Sequence, residues 1–353
     1  MRVLLDAHHL GQRQTGNETY VRELISELRS NEDLEIVAGV TSTGWTAAAV
    51  SPPVIRRRVP GRGLLRLLAL SGLAHTEHVD LVHSIYFLPW LTSRPSVLTI
   101  HDIAYEIHPE FFARTAVIRN RLLVRDSARR ASRVVTVSET SRRDLIDRYG
   151  LSPERVVAIP NGVSDEFAAL DGDRSPSPDG AIRILAIGTV QPRKNLPRLV
   201  RAVDALARRR PIRLRIIGPD GYQGAAIREM ASARGVVEVV GYVPQAALLD
   251  EYRRADLFVY PSIYEGFGLP VIEAMAAGLP VVTTTGGSLP EVVGDAALVV
   301  DPLDETALSD AIERLIDDEG LRRDLVARGR VRAASFSWSR AAAQLVATYR
   351  SVL

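Results

Sequence analysis

The chain reads as two doubly wound α/β domains, and three observations carry that prediction. Its 353 residues exceed one ordinary core and suit two of roughly 150 residues each. Short apolar runs alternate with helical spacings from end to end, the pattern of parallel strands joined by crossover helices. A Gly-, Pro-, Ser- and Asp-rich stretch at 168–180 interrupts the alternation and reads as a linker. The predicted division is 1–167, the linker 168–180, 181–335, and a terminal helix over 336–353.

Composition narrows the function. With 44 basic against 42 acidic residues the net charge is +2, so no broad field for nucleic acid is indicated. No apolar run approaches ~18 residues, the length of a membrane-spanning helix. Met1–His9 is broken by Asp6, His8 and His9 and reads as a strand, not an export signal, so a cytoplasmic location is expected. The absence of cysteine excludes disulfides, thiolate catalysis and cysteine-ligated zinc. The histidines at 8, 9, 75, 78, 83 and 108 lack metal-ligand spacing, and no metal site is expected. Every basic residue is arginine except Lys194. A position that keeps lysine points to a need for a compact ammonium in place of a planar fork.

In the first domain, Met1–Ala7 is an apolar strand, followed by a loop with Gly11 and Gly16. Tyr20, Val21, Leu24, Ile25 and Leu28 then place a helix over Glu18–Ser30. This loop lacks G-x-G-x-x-G, and no phosphate-binding G-x-x-x-x-G-K-[ST] occurs anywhere. Leu34–Val40, Val79–His83 and Ser96–Ile100 read as further buried strands. The third runs into His101, which therefore lies at a strand's carboxyl end, where open α/β sheets bind ligands. Arg56–Arg58, Arg62 and Arg66 among leucines, and the arginine-rich helix over Arg114–Arg133, have two readings. One is peripheral contact with an anionic membrane face or a lipid-diphosphate acceptor; the other is solvated faces in an arginine-biased chain. Arg133–Val137 is a strand, and Ser138 opens a helix that stops at Gly150. Asp171-Gly172-Asp173 has the look of a metal-binding pattern, but it sits in the linker with no strand leading into it and reads as coincidence.

The second domain opens with strand Ile182–Ile187 and the loop Gly188–Asn195, where Asn195 is placed to cap the helix Leu196–Arg208. Arg193 and Lys194 at that helix start would clamp a diphosphate, one as a fork and one as a point charge. Arg213–Ile217 and Val236–Val240 are strands, the second leading to Tyr242 and Val243. Leu257–Tyr260 is a buried strand, followed by Glu265-Gly-Phe-Gly-Leu-Pro-Val-Ile-Glu273. Pro270 suits a first helical turn, and Gly278 with Pro280 ends the helix. Glu265 thus lies in the loop and Glu273 about one turn inside the helix. Gly266 and Gly268 allow close approach of a ligand, and the backbone at Phe267, Gly268 and Leu269 can hold an anion or hydroxyls. Either glutamate alone reads as a helix-dipole or solvated residue; the pair around this glycine turn reads as a site.

This stretch resembles the signature of retaining, nucleotide-sugar-dependent glycosyltransferases of family 4, a Glu-x7-Glu motif around Gly-Phe-Gly-Leu-Pro that stands complete here. The overall pattern is most like the bacterial O-antigen mannosyltransferases of that family. The resemblance implies the GT-B fold, two Rossmann-like domains with an interdomain cleft, the terminal helix crossing back to the first. It implies a nucleotide-sugar co-substrate, with no metal and no other cofactor. Arg193 and Lys194 would bind the donor diphosphate and stabilise it as it leaves, and Glu273 would hold the ribose. Tyr242 and Val243 would border the nucleobase, Glu265 would position the sugar, and His101 would approach it near the reacting carbon. Gly16 would border the donor phosphates.

The function implied is transfer of a hexose, mannose from GDP-mannose in the first instance, with retention of configuration. The acceptor would be a glycan or a polyprenyl-diphosphate-linked molecule in bacterial surface polysaccharide synthesis. The alternatives are a glucosyl- or N-acetylglucosaminyltransferase using a UDP-sugar, and a catalytically silent protein that binds nucleotide sugars. A nicotinamide dehydrogenase is disfavoured by the missing glycine fingerprint.

Overall fold

The computed structural model describes the chain except residues 13–14, 44–53, 62, 171–176 and 178. Most of the expected linker, including Asp171-Gly172-Asp173, therefore lies outside the described residues. What is described divides into two compact units. One comprises 1–107, 114–162 and 338–353; the other comprises 108–113 and 163–337. Relative to the expected division, the first boundary falls earlier, at Gly162, and the short segment His108–Ala113 groups with the second unit.

In the first unit, β1 (Arg2–Asp6), β2 (Glu35–Val40), β3 (Ile55–Arg58), β4 (Leu81–Ile85), β5 (Ser96–Thr99), β6 (Arg133–Thr136) and β7 (Val156–Ala158) form one sheet. Its order is β3-β2-β1-β4-β5-β6-β7, and every pairing is parallel. Parallel strands need crossovers that cover both faces, so central strands such as β1 and β4 are buried along almost their whole length. The edge strand β3 is the exception. Its sequence Ile-Arg-Arg-Arg carries no alternation, and it is held by pairing with β2 and by an Arg57–Glu77 ion pair of 2.5 Å. Arg57 thus makes an intramolecular ion pair while remaining partly exposed.

The first helix starts at Thr15, earlier than the apolar spacing indicates, so Gly16 lies in its first turn and not in the preceding loop. The helix Glu139–Tyr149 has the expected ends: Ser138 accepts from the Ser141 amide, and Gly150 adopts φ 66°. The terminal helix Trp338–Arg350 packs in the first unit against the Thr15–Leu28 helix.

The second unit repeats the plan with β8 (Ile182–Ile187), β9 (Ile212–Ile217), β10 (Val237–Gly241), β11 (Leu257–Tyr260), β12 (Val281–Thr284) and β13 (Leu298–Val300). The order β10-β9-β8-β11-β12-β13 is again parallel throughout. Apolar clusters cover both faces: Leu199, Val203, Leu214 and Ile312 belong to one, Phe258, Val271, Met275 and Leu289 to the other. In both sheets the strand order reverses beside the first strand, β1/β4 and β8/β11. That reversal leaves a crevice at the carboxyl ends, the usual ligand position in this architecture.

Candidate active site

The two loops that leave β8 and β11 meet at the reversal point of the second sheet. Residues Pro192–Lys194 form a single 3-10 turn after β8, and the Ile263 amide donates to Arg193 O at 2.9 Å. Asn195 adopts φ 56° and makes no side-chain cap, contrary to its expected role. Its Nδ2 instead donates to Pro261 O (3.0 Å) and Pro302 O (2.7 Å), tying the loops together. The left-handed backbone turns its side chain away from the helix start, so the residue braces the site where a cap was expected.

Glu265 stands at the centre. Lys194 Nζ donates to its Oε1 at 2.6 Å and Arg193 Nη1 to its Oε2 at 2.8 Å. Lys194 also donates to the Tyr260 hydroxyl at 2.6 Å and sits 4.8 Å from that ring's centroid. Arg193 Nη1 further donates to Tyr264 O at 2.5 Å. Glu265 and Lys194 are only 6% and 8% exposed, so the charges act with little solvent screening. Burial pushes the Glu265 carboxyl up, but Arg193 and Lys194 outweigh it and bring its pKa down to about 2. The carboxylate is therefore ionised at neutral pH and is not a proton donor there. Burial, then the charge of Glu265, pushes the Tyr260 hydroxyl well above its ordinary range, so it stays protonated. Two cations around one anion leave the cluster with one net positive charge.

The backbone of Glu265 is fixed from behind. Its carbonyl accepts from the Ser288 amide at 3.0 Å and lies 3.1 Å from Ser288 Oγ. The chain reaches this position because Gly286 and Gly287 have no side chains. A Cβ on Gly286 would lie 2.4 Å from Ser262 O, and one on Gly287 2.3 Å from Glu265 O, with φ 65° at the latter.

Glu273 lies in the helix Leu269–Ala276, which opens on Gly268 at φ 101° with Pro270 in its first turn. The Tyr252 hydroxyl donates to Glu273 Oε2 at 2.7 Å. Tyr252 is itself fully buried, edge-on to Phe167 (5.2 Å) and stacked with Phe258 (5.8 Å). Burial and the Glu273 charge push its hydroxyl well above the ordinary range, so it remains a donor. Phe267 and Leu269 bury their side chains, Phe267 edge-on to Phe336 at 5.4 Å. Gly266 and Gly268 complete this turn. Tyr242 is exposed just past β10, while Val243 packs against the second apolar cluster.

The structure thus brings Arg193, Lys194 and Glu265 into one hydrogen-bonded cluster, with Glu273 held separately on the following helix. Gly16 and His101 belong to the first unit. Gly16 is exposed, with open space where a Cβ would stand. His101 follows β5, edge-on to Tyr20 at 4.6 Å and beside Tyr86 at 5.9 Å. Burial lowers its pKa to about 4, so the ring is neutral at pH 7, and its buried Nε2 has no hydrogen-bond partner. Sequence reading gave no role to Tyr252, Tyr260 or Ser288. Tyr260, as the last residue of a strand pointing at the site, was the one with a readable signal. Among the described residues no group of three or more acidic, histidine or cysteine side chains could hold a metal ion, and no helix is long and apolar enough to cross a membrane.

Comparison with known proteins agrees with this architecture. Residues 15–167 match the family described as Glycosyltransferase Family 4, and residues 171–332 match Glycosyl transferases group 1. The chain is 34% identical over 281 residues to the O-antigen chain mannosyltransferase B of Escherichia coli, covering 75% of this chain and 72% of that protein. It is 32% identical over 398 residues to a D-inositol 3-phosphate glycosyltransferase of Salinispora arenicola, covering 95% and 86%. The crystal structure of Anabaena Alr3699/HepE in complex with UDP-glucose superposes with a TM-score of 0.78 at 19% identity, over 99% of this chain and 100% of that one. Two parallel doubly wound sheets, the complete Glu265–Glu273 motif and these matches lead to one conclusion: the chain belongs to the group 1, family 4 glycosyltransferases of the GT-B fold.

Proposed function

We propose that the protein transfers a hexose, mannose from GDP-mannose, with retention of configuration, to a glycan or polyprenyl-diphosphate-linked acceptor in bacterial surface polysaccharide synthesis. The observation that carries this reading is the buried Lys194–Glu265–Arg193 cluster at the carboxyl ends of β8 and β11. The mannosyltransferase relative in Escherichia coli supports the choice of sugar.

In this reading Arg193 and Lys194 meet the charge that grows on the departing diphosphate, and their preorganisation means little reorganisation at the moment of reaction. No metal is required for that task. Glu265, ionised and held at both oxygens, orients the sugar and faces the positive charge developing at its reacting carbon. The acceptor's proton passes to the leaving diphosphate oxygen on the same face, since Glu265 at a pKa of about 2 is a poor base. Glu273 accepts from the ribose hydroxyls, with the backbone of Gly266–Leu269 alongside. Tyr242 and Val243 border the base. The neutral ring of His101 offers its buried Nε2 to a sugar hydroxyl, and Gly16 borders the phosphates through backbone alone.

A peripheral membrane contact is part of the proposal. Leu64, Leu65 and Leu68 are exposed on the helix Gly63–Thr76, an apolar strip suited to an interface. The Salinispora relative favours a second reading, a phosphorylated polyol acceptor.

The test is calorimetric titration with GDP, UDP, GDP-mannose and UDP-glucose in EDTA, followed by turnover with Glu265→Ala. Tighter GDP and GDP-mannose binding, with transfer lost but donor binding kept within a few-fold in the variant, supports the proposal. A preference for UDP overturns the donor, a metal requirement overturns the diphosphate assignment, and binding without transfer to any acceptor supports the silent alternative.

A further inference from the structure

The second unit carries a cavity at the end of its sheet opposite the Glu265 cluster. It measures about 570 Å3, within the range of small-molecule sites. Ile182 and Leu257, the first residues of β8 and β11, form its floor, with Pro280 just ahead of β12. Because β8 is six residues long, floor and reaction loop are separated by about 20 Å at ~3.3 Å per residue.

The wall is the helix Glu319–Ala334. Arg322, Val326 and Arg330 line the cavity at i, i+4 and i+8, so one helical face presents an apolar side chain between two guanidinium groups. Arg322 Nη1 is held by the Leu315 and Ile316 carbonyls at 2.7 and 2.6 Å, groups without a full charge. Arg330 lays its guanidinium over Gly278, where φ is 70° and a Cβ would come within 2.5 Å of Nη2. Arg323 stands at the rim, with an exposed Glu319 contact of 3.7 Å. The one carboxylate in the lining, Asp256, is neutralised by Arg183, which donates to both its oxygens at 2.8 and 3.0 Å. The lining therefore sets three guanidinium groups, and one carboxylate paired with Arg183, among apolar side chains.

We propose that this cavity is a second binding site, for a small amphipathic anion whose apolar body lies on Val326, Leu257 and Leu315 and whose carboxylate or phosphate meets Arg330 and Arg323. Apolar walls alone would admit a neutral ligand and cations alone an inorganic ion; the alternation along 322–326–330 selects a molecule with both parts. The site also touches the donor machinery mechanically. Gly329, next to Arg330, packs so closely on Met275 that a Cβ there would lie 3.3 Å from it, and Met275 is two residues from Glu273.

The full chain is titrated with 1-anilinonaphthalene-8-sulfonate, then challenged with decanoate, inorganic phosphate and GDP. The expected result is one saturable dye site, displaced by decanoate but not by phosphate or GDP. Val326→Trp should weaken it about tenfold or more by filling the space, and Arg323→Ala several-fold, with melting temperatures unchanged. If Val326→Trp fails to fold, the exposed Arg323→Glu replaces it and must weaken decanoate at least as much as Arg323→Ala. Dye binding unchanged in these variants, displacement by GDP, saturation by phosphate alone, or no saturable binding would each overturn the site.

Discussion

His83 Nδ1 lies 2.6 Å from the hydroxyl of Tyr349, a bond that joins β4 to the terminal helix across 266 residues of chain. It is one link of a buried series: His83 Nε2 is 2.8 Å from Thr99 Oγ1, which is 2.9 Å from the Tyr20 hydroxyl. The Tyr20 ring in turn stands edge-on to His101. Burial lowers the His83 pKa to about 3, so the ring is neutral and donates through one nitrogen while accepting through the other. The terminal helix is thereby keyed to the strands that position His101, by hydrogen bonds inside the first unit and not by apolar packing alone.

Tyr349→Phe removes one partner and leaves a buried imidazole nitrogen unpaired. The expected loss is about 1–3 kcal/mol, the cost of an unsatisfied buried polar atom. Urea unfolding should show a lower midpoint at unchanged slope. An unchanged midpoint would mean the bond contributes nothing net.

Acid should destabilise the first unit before carboxylates protonate. His83 and His101 have folded pKa values of about 3 and about 4, below the ordinary 6.5. The unfolded chain binds protons at both rings below ~6.5 while the folded one does not, so stability falls as pH drops from there to about 4. The limiting slope for two rings is about 2.7 kcal/mol per pH unit. Glu265 has the same sense in a lower window: its folded pKa is about 2 against 4.5, so its contribution is present above about 4.5 and disappears as pH falls towards 2. Melting curves from pH 7.5 to 4 should show the first loss, and His101→Asn should halve its slope.

The fold was legible where strands are buried on both sides, as in Leu257–Tyr260, because a short continuous apolar run fits a central parallel strand. It was not legible at β3, where three arginines on an edge strand hide a pairing made by backbone alone. The strand expected over Val79–His83 runs instead over Leu81–Ile85, because Val79 is buried in the preceding turn and carries the same apolar signal. At the site, Glu265 stood out in the sequence through the Glu-x7-Glu glycine turn, and Arg193 and Lys194 through their place at a helix start and the chain's single lysine. Tyr252 could not be read, since its partner lies 21 residues away and a tyrosine in an apolar stretch looks like core.

Lys194→Arg tests why one lysine survives. Its stem runs within 3.1 Å of where a Cβ on Gly188 would stand, and its ammonium fits between the Tyr260 hydroxyl and Glu265. A guanidinium is planar and wider and cannot meet both at 2.6 Å in that space. Transfer measured as kcat/KM should fall about 100-fold or more while the net charge is unchanged. Full activity would show that only charge matters at this position.

Tyr252→Phe separates binding from chemistry. It removes a donor to Glu273 without touching the Lys194–Glu265–Arg193 cluster. Donor KM should rise about three- to tenfold with kcat nearly constant, the signature of lost uniform binding. A fall in kcat with KM unchanged would overturn the ribose role proposed for Glu273 and place it at the reacting centre.

Gly287→Ala is expected to be strongly damaging to transfer. The residue holds φ 65°, costly for alanine, and its Cβ would lie 2.3 Å from Glu265 O and 2.8 Å from Glu265 N, both backbone atoms that cannot swing away. Relief requires the 285–288 turn to retreat, which breaks the Ser288 bonds to the Glu265 carbonyl. Glu265 then loses its backbone brace while keeping its two cationic partners. Transfer should fall by about two orders of magnitude or more, since an error near 1 Å at a reacting centre is that costly. Gly16→Ala is the matched control, because its Cβ would meet nothing within 4 Å, and it should leave the fold's stability within about 0.5 kcal/mol of the parent or above it. If Gly287→Ala retains full transfer, the glycine turn does not position Glu265 and the catalytic assignment of that carboxylate loses its structural support.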